Sequence, residues 1–430
     1  MALDDTCRPR TVRAPALGLR TCVVSDVAAL ENERSGWDAL AVAASRPYCA
    51  PGWALPWWRH VRPPGTELTV VTVHQGSELV GLAPCYLGRT AAGLTTCRVL
   101  GDVAASYSEP LAAAHLRREV AGALAAALAD CAVDVLSLSG LPSDSPWPGL
   151  LQETWPGLQP HLSSVSAMGA PYVDLPHGGP EEWFDGRSRN FRQQLRRRRR
   201  EFFRRGGRLQ VAETPEDVLA GVRELVRLHH GRWAARGGSQ ALHGSMPDML
   251  QRSGTELGPG RLQVWTATAE GSTVAAALFM AAGHEMHYWL GGFDEAWAPL
   301  SPSVLLLVEA VLHAPAFGCH RISLGPGAQP YKERMATGED HLMWVDLLPR
   351  SRRYPYVRLR QAPYRLRRIV ANRTPPEAKR RLRHAADRLR PAQGRQLPVD
   401  GAGIPRSLPS QERPPTHGHR EVNRHGLRVD

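Results

Sequence analysis

The clearest hydrophobic pattern in the chain lies in its second half. Residues 261–268 (RLQVWTAT) alternate between apolar and polar side chains, which is typical of a strand with one buried face. A turn over residues 270–272 separates this strand from a second, apolar strand. The remaining elements predicted in this half are strands over 273–280, 284–290, 321–324 and 341–348, and an apolar helix over 304–312. The order is an antiparallel meander, a helix and two further strands.

The first half repeats this order of elements loosely. Helices are predicted over 30–45, 53–61 and 117–129, and strands over 66–74, 78–87, 95–101 and 133–139. A chain of 430 residues has room for two domains of about 150 residues each. We therefore expect an N-terminal domain over 20–175 and a C-terminal domain over 176–349, joined near the run PHGGP at 176–180.

An arginine-rich helix is predicted directly after this junction. Phe191, Leu195 and Phe202 are spaced to face a core, the arginines point outward, and Gly206 with Gly207 ends the helix. One interpretation is a solvated helix face. The other is contact with an anionic partner, such as nucleic acid including tRNA, a phosphate-bearing sugar or an anionic membrane surface. No RNA-binding signature accompanies the run, so specific base readout is not expected.

The net charge of +12 comes largely from this helix and from the end of the chain. Residues 350–390 are basic with a faint helical pattern, and they predict a partly helical extension. Residues 391–430 have almost no apolar content and cannot bury a core, which predicts a disordered tail. Residues 1–19 are expected to form a flexible arm.

The 7 cysteines are scattered without CxxC spacing, which argues against a disulfide framework or a metal site. No apolar run reaches the roughly 18 residues of a membrane span, and the first residues lack the apolar core of a secretory signal. These features favour a cytoplasmic protein with reduced thiols.

Lys332 is one of only two lysines among 53 basic residues, the other being Lys379. It follows the turn-forming run GPGAQPY at 325–331. Arginine is a planar group that stays charged, whereas lysine is a compact cation whose pKa can be lowered. A lysine kept against this bias indicates a site near a phosphate, a carboxylate or a developing oxyanion. The alternative is a surface lysine after an ordinary turn.

These motifs carry a family resemblance. The order of elements in the second half resembles the acyl-CoA-dependent N-acyltransferase fold, the GNAT fold. The segments YWLGGFD (288–294), SPS (301–303) and GPGAQPYK (325–332) resemble the CelD/BcsL type associated with cellulose biosynthesis, which is similar to the Fem-type aminoacyl transferases. The resemblance covers 180–350 best and 20–175 more loosely. It implies tandem GNAT-like domains of the α/β (α+β) class, with mixed, mostly antiparallel sheets flanked by helices.

The resemblance also implies where a CoA donor would bind. Typical GNAT enzymes cradle the CoA pyrophosphate on a glycine-rich loop, which Ser301-Pro302-Ser303 replaces here. Ser301 can cap the following helix, whose first turn offers amides to a phosphate. We therefore take Ser301, Ser303, Gly291 and Gly292 as cofactor-binding candidates. An ordinary capped helix explains the same residues, and no metal is expected.

Lys332, Asp294 and Tyr331 are the catalytic candidates. Asp294 ends the third strand, where it can hold or deprotonate an amine or merely cap a turn. The substrate-binding candidates are Arg189, Arg192, Tyr288 and Trp233; for the two arginines this role is implied by the resemblance to Fem-type proteins, in which a basic helix begins the second domain. His229 and His230 lie late in a helix predicted to begin near residue 215, and either could act as a base.

The expected function is transfer of an acyl group from acyl-CoA, such as acetyl-CoA, to an amino group. The acceptor would belong to a sugar, an amino acid or a small biosynthetic intermediate. A Fem-type transferase that uses aminoacyl-tRNA is the first alternative. A non-catalytic protein that binds polyanions through its arginines is the second.

Overall fold

The structure is a computed structural model that describes residues 18–102, 104–234 and 241–362. The predicted tail at 391–430 and nearly all of the predicted arm at 1–19 lie outside these residues. The basic extension is described only at its start, where residues 354–362 are helical.

The described residues alternate between strands and helices along the chain. The strands are β1 (Leu19–Val24), β2 (Glu67–Gln75), β3 (Glu78–Arg89), β4 (Thr95–Val99), β5 (Leu111–Ala112), β6 (Val135–Pro142), β7 (His161–Asp174), β8 (Arg208–Val211), β9 (Leu262–Ala269), β10 (Ser272–Ala282), β11 (Glu285–Phe293), β12 (Arg321–Ser323) and β13 (Gly338–Leu348). The helices are α1 (Val27–Leu30), α2 (Arg34–Ala43), α3 (Pro51–His60), α4 (Arg117–Asp130), α5 (Trp147–Glu153), α6 (Gly179–Asp185), α7 (Arg189–Arg204), α8 (Pro215–Ala234), α9 (Met246–Leu257), α10 (Pro302–His313) and α11 (Pro330–Met335), with short 3-10 turns at Pro47–Cys49, Ala114–Leu116, Glu295–Leu300 and Ala314–Phe317. None of the described helices has both the length and the apolar character needed to cross a membrane.

All thirteen of these strands belong to one sheet. Its order is β1-β2-β3-β4-β6-β13-β7-β12-β11-β10-β9-β8, and β5 pairs with β3 at the side. The β4–β6 and β11–β12 pairs are parallel, and every other pair is antiparallel. This confirms the predicted fold class, a mixed and mostly antiparallel sheet flanked by helices.

The two halves of the sheet repeat one another and exchange strands. The first half contains the antiparallel strands β1-β2-β3-β4, and the second half contains β8-β9-β10-β11. The last strand of each set pairs in parallel with the next strand, β4 with β6 and β11 with β12, over only three residues. The last strand, β13, lies between β6 and β7, so it completes the first half rather than extending the second. In turn β7 pairs with β12 of the second half. The predicted domain boundary at 175/176 therefore falls inside a continuous sheet, and the division into two domains stays a prediction.

Strand β7 was not predicted from the sequence. Residues 161–174 include Gly169 and Pro171 and show little alternation, which weakens the sequence signal for a strand. The strand is nevertheless paired with β13 on one side and β12 on the other. Its backbone hydrogen bonds to two neighbours, not its own side-chain pattern, therefore fix it as a strand. The edge strand β1 and the helix α9 were also missed.

Both halves share a hydrophobic core on one face of the sheet. The buried Trp37, Trp53 and Trp57 from α2 and α3 lie in the same cluster as Leu225 and Leu250 from α8 and α9. Helix α3 packs mainly on α9. Helices α4 and α5 cover the opposite face of the first half, and α6, α7 and α10 cover that of the second. The tryptophans of α2 and α3 are therefore buried in a core to which both halves contribute.

Arg321 of β12 ties the central strands together. Its guanidinium lies 3.0 Å from Asp174 Oδ1 on β7 and 2.8 Å from Asp340 Oδ1 on β13. The Tyr107 hydroxyl donates to Asp340 Oδ2 at 2.9 Å. The carboxylates keep the pKa of Arg321 above its usual value despite burial, which opposes the increase. This network fixes the start of β12, the strand that precedes the loop to Lys332.

Candidate functional site

A cavity opens where β11 and β12 separate. The strands pair only from Glu285 with Arg321 to His287 with Ser323, and beyond this point β12 turns into the loop that leads to α11. The cavity between them has a volume of about 60 Å³. It is lined by His229, Trp233 and Ala241 from α8 and the residues after it, by Tyr288, Trp289 and Leu290 from β11, and by Leu324, Gly325, Pro326, Gln329, Tyr331 and Lys332.

Lys332 is the buried amine of this cavity. It lies in the first turn of α11 with 4% of its surface exposed, and its Nζ donates to Gly325 O and Pro326 O, both at 3.0 Å. Within the described part of the chain no carboxylate pairs with it. Burial alone therefore lowers the pKa of Lys332 to about 7. The amine therefore exchanges between its charged and neutral forms near neutral pH. Its two N–H groups satisfy the carbonyls, and its lone pair is left to accept a proton.

Tyr288 and Tyr331 place two phenols beside this amine. Burial raises the pKa of Tyr288 to about 12 and holds the pKa of Tyr331 well above its usual value, and the two hydroxyls interact with each other. The Lys332 Nζ lies 5.9 Å from the centre of the Tyr288 ring. Both phenols therefore stay protonated over the physiological pH range and can donate a hydrogen bond.

His229 forms the opposite wall of the cavity from helix α8. Its imidazole is buried and interacts with the Gly291 backbone, and burial lowers the pKa of His229 to about 4. The ring is therefore neutral near pH 7. It faces Trp233 with ring centres 6.1 Å apart.

Gly291 and Gly292 allow α8 and Tyr288 to come this close. A Cβ at Gly291 would lie 2.5 Å from the Tyr288 hydroxyl oxygen, and one at Gly292 would lie 2.8 Å from the His229 backbone nitrogen. The structure thus gives both glycines, predicted to bind cofactor, a packing role behind the cavity wall.

Arg232, Trp289 and Gln329 were not singled out from the sequence. Arg232 stacks on Phe293 with its Cζ 4.3 Å from the ring centre, and its charge acts on both tyrosines. Trp289 donates from Nε1 to Ala104 O at 2.7 Å, which attaches the first half to the cavity wall. The Gln329 Oε1 is buried and has no hydrogen-bond partner among the described residues. The available sequence signal was their place within or beside residues already named: Arg232 lies between His230 and Trp233, Trp289 in YWLGGFD and Gln329 in GPGAQPYK.

The structure brings five of the predicted candidates together around the cavity: Lys332, Tyr331, Tyr288, Trp233 and His229. Asp294 is exposed and accepts from Ala296 N at 3.0 Å, so it caps a turn outside the cavity lining. On α7, Arg189 is exposed and Arg192 pairs with Asp185 at 3.2 Å.

Ser301 and Ser303 stand at the start of α10, away from the cavity lining. Ser301 adopts a left-handed conformation with a φ of 51°, and its hydroxyl donates to Ala298 O. The expected side-chain cap is therefore absent, because this conformation directs the hydroxyl back to the preceding turn. The Ser303 hydroxyl is buried without a partner in the described region. Among the described residues, no cluster of metal-ligating side chains is found.

One segment of the chain is similar to a known protein family. Residues 189–333 match the model of the family described as "Acetyltransferase (GNAT) domain". No curated protein matches the sequence.

Among solved structures, the crystal structure of FemX aligns with a TM-score of 0.55 and 11% identity, over 76% of this chain and 97% of that one. A tandem GNAT protein from the clavulanic acid biosynthesis pathway aligns with a TM-score of 0.41 and 16% identity, over 77% and 99% of the two chains. The likeness to FemX shows a shared fold. Every residue that lines the cavity lies within 229–332, so the candidate site falls inside the segment that matches the GNAT acetyltransferase domain.

Proposed function

We propose that the protein is an N-acyltransferase that moves an acyl group from acyl-CoA, such as acetyl-CoA, to an amino group. The acceptor would be an amine of a sugar, an amino acid or a small biosynthetic intermediate. The observation that carries the proposal is Lys332, a buried amine of lowered pKa in the cavity between β11 and β12. Its place inside the segment that matches an acetyltransferase domain supports the same reaction class.

Different residues of the cavity can perform different steps of acyl transfer. The acceptor nitrogen bonds to the acyl carbon, the bond from that carbon to sulfur breaks, and the nitrogen loses one proton. Neutral Lys332 can accept this proton through its lone pair. Tyr288 or Tyr331 can donate a hydrogen bond to the oxyanion of the tetrahedral intermediate and then a proton to the departing sulfur. His229 is held neutral and can orient the acceptor.

The corresponding opening in the first half is filled by its own chain. Strands β4 and β6 stop pairing after Arg98 and Ser137. Beyond this point Tyr107 N donates to Gly140 O of β6 at 2.7 Å, so residues 104–107 lie beside β6 in place of β4. We therefore assign catalysis to the second half and a supporting role to the first. The finer resemblance to the CelD/BcsL type, the division into tandem domains and the cytoplasmic location belong to the same proposal.

Ligand binding tests the donor. Acetyl-CoA or CoA at 100 times its dissociation constant should stabilise the folded protein by about 2.7 kcal/mol and raise its melting temperature. Release of free CoA in the presence of a panel of amines would then report turnover. A melting temperature unchanged by any CoA thioester at millimolar concentration would contradict the proposed donor.

Two alternatives have distinct outcomes in the same experiments. Tight tRNA binding without any response to CoA would favour a Fem-type aminoacyl transferase, which the arginines of α7 would suit. Salt-sensitive binding to polyanions with no turnover of any donor would favour a non-catalytic protein.

A further inference from the structure

Part of the arginine surface of α7 lacks any acidic partner. Within the described ranges, three carboxylates lie at ion-pair distance from arginines of α7 or from Arg205, which follows it: Asp185 with Arg192 and Arg196, Glu201 with Arg204 and Arg205, and Glu309 with Arg199. No such partner reaches Arg197, Arg198 or Arg334 in this part of the chain. These three cations are therefore not explained by internal ion pairing.

Arg198 and Arg334 both lie near the junction of α7 and α11. Phe191 and Arg198 are seven residues apart on α7, so they lie on the same side of the helix, two turns from each other. The Arg334 guanidinium lies 6.0 Å from the Phe191 ring centre. The Arg198 Nε is buried with no acceptor among the described residues. The desolvation of Arg198 and the charges of Arg334 and Arg197 lower its pKa. Like charges so placed favour an anion between them.

The other candidate for a phosphate site, the start of α10, offers few donors. Pro302 has no N–H, and the amides of Val304 and Leu305 already donate to Ser301 O at 2.9 and 3.2 Å. A phosphate at that helix end would therefore have little beyond Ser303 to bind. The phosphate groups of the proposed donor need a stronger site.

Helix α11 connects the arginine junction to the cavity. Lys332 faces the cavity, and Arg334, two residues further along the same helix, contacts α7. The two side chains leave the helix on different sides, so α11 lies between the two sites.

We propose that Arg197, Arg198 and Arg334 form a phosphate-binding site, which holds the 3′-phosphate of the CoA carrier while the acyl group reaches Lys332. The assignment of the carrier rests on the proposed function, whereas the phosphate site rests on the arginine geometry alone. Guanidinium groups suit this ligand because their N–H donors pair with phosphate oxygens in a bidentate manner.

Calorimetric titration of the full chain with inorganic pyrophosphate tests the site without any turnover. We expect Arg198→Gln and Arg334→Gln each to weaken pyrophosphate binding by about tenfold. Arg200→Gln is the matched control, because Arg200 is an exposed arginine of the same helix, two residues from Arg198 and on a different side. It should change the affinity by less than about twofold. Equal losses in all three variants would mean diffuse charge attraction and would overturn the proposal.

Titration with CoA and 3′-dephospho-CoA then tests the carrier. The wild-type protein should prefer CoA by about tenfold or more, and Arg198→Lys should keep more of this preference than Arg198→Gln. Equal affinities for the two ligands in the wild type would overturn the assignment of the 3′-phosphate. Pyrophosphate binding that depends on Arg198 and Arg334, with no binding of CoA, would support the phosphate site and overturn the acyl-CoA donor. In that case, competition between pyrophosphate and an RNA oligonucleotide that represents a tRNA acceptor stem would identify aminoacyl-tRNA as the carrier.

Discussion

Lys332 shows how burial changes the meaning of a residue. Its rarity in an arginine-rich chain marked it as a candidate, but the sequence suggested a cation that holds an anion. Its burial without a carboxylate partner instead favours a base that is partly neutral at pH 7. Arginine cannot replace it in that role, because a guanidinium stays protonated. The sequence thus predicted the position, whereas the protonation state depends on contacts that only the fold creates.

Activity should therefore rise with pH through about 7, as Lys332 loses its proton. His229 has a pKa of about 4 and is neutral throughout this range, so its titration does not contribute to the pH profile of kcat/KM. Lys332→Met should lower kcat/KM by about 10²–10⁴-fold and remove its increase with pH. Lys332→Arg should lower kcat/KM at least about tenfold. The measurement is kcat/KM between pH 5.5 and 9. A Lys332→Met variant with the wild-type profile would assign the base elsewhere.

Unfolding gives a control that does not depend on activity. The unfolded chain holds the Lys332 proton up to its usual pKa of 10.5, whereas the folded protein releases it near 7. Between these values the unfolded state binds more protons, so folding is stabilised as pH rises. The free energy of unfolding of the wild type, relative to Lys332→Met, should increase by up to about 1.4 kcal/mol per pH unit in this window. A difference that does not change with pH would mean that the amine is not desolvated.

Among the elements, β11 and α8 together form the cavity wall. The sequence predicted β11 from its apolar pattern and its terminal glycines, and it predicted helical structure from residue 215 onward. It could not show that Gly292 touches the α8 backbone, because that contact joins residues more than 60 positions apart. Strand β7 escaped prediction for the same reason, since its partners are distant in sequence and its own pattern is weak.

Gly292→Ala should separate these two elements. Its Cβ would come within 2.8 Å of the His229 backbone nitrogen, and backbone cannot move aside as a flexible side chain can. We expect a loss of about 1–3 kcal/mol in stability together with lower kcat/KM, because α8 must shift away from the cavity. Thermal unfolding and steady-state kinetics measure both effects.

Gly231→Ala, a glycine-to-alanine change on α8 itself, is the matched control. A Cβ there would meet no atom within 4 Å, so alanine should be neutral or stabilise the helix by up to about 1 kcal/mol. Equal behaviour of the two variants would show that α8 tolerates displacement from β11.

For the whole molecule, the repeat of elements was visible in the sequence, but the exchange of strands was not. Hydrophobic periodicity marks β13 as a strand without indicating which neighbours it joins. The structure places it between β6 and β7 and buries the tryptophans of α2 and α3 against α8 and α9. Neither half contains all the partners of its own strands.

Residues 20–175 expressed alone should therefore fail to fold cooperatively. This fragment would expose the β6 edge and the apolar faces of α2 and α3, which favours aggregation and dye binding to hydrophobic surface. Thermal unfolding followed by circular dichroism would measure cooperativity. A chain that ends at residue 390 is the control, and it should unfold sharply and retain turnover. A monomeric fragment with a sharp transition would instead support independent domains divided at 175/176.

The position of β13 also determines when the protein can fold during its synthesis. The ribosome releases β6 early, but nearly 200 residues separate its end at Pro142 from the start of β13 at Gly338. At a synthesis rate of about 5–20 residues per second, the β6 edge waits roughly 10–40 seconds for its partner. During this interval a nascent chain carries an open strand edge that can pair with another chain. The shared sheet thus makes translation the period in which this protein depends most on chaperones.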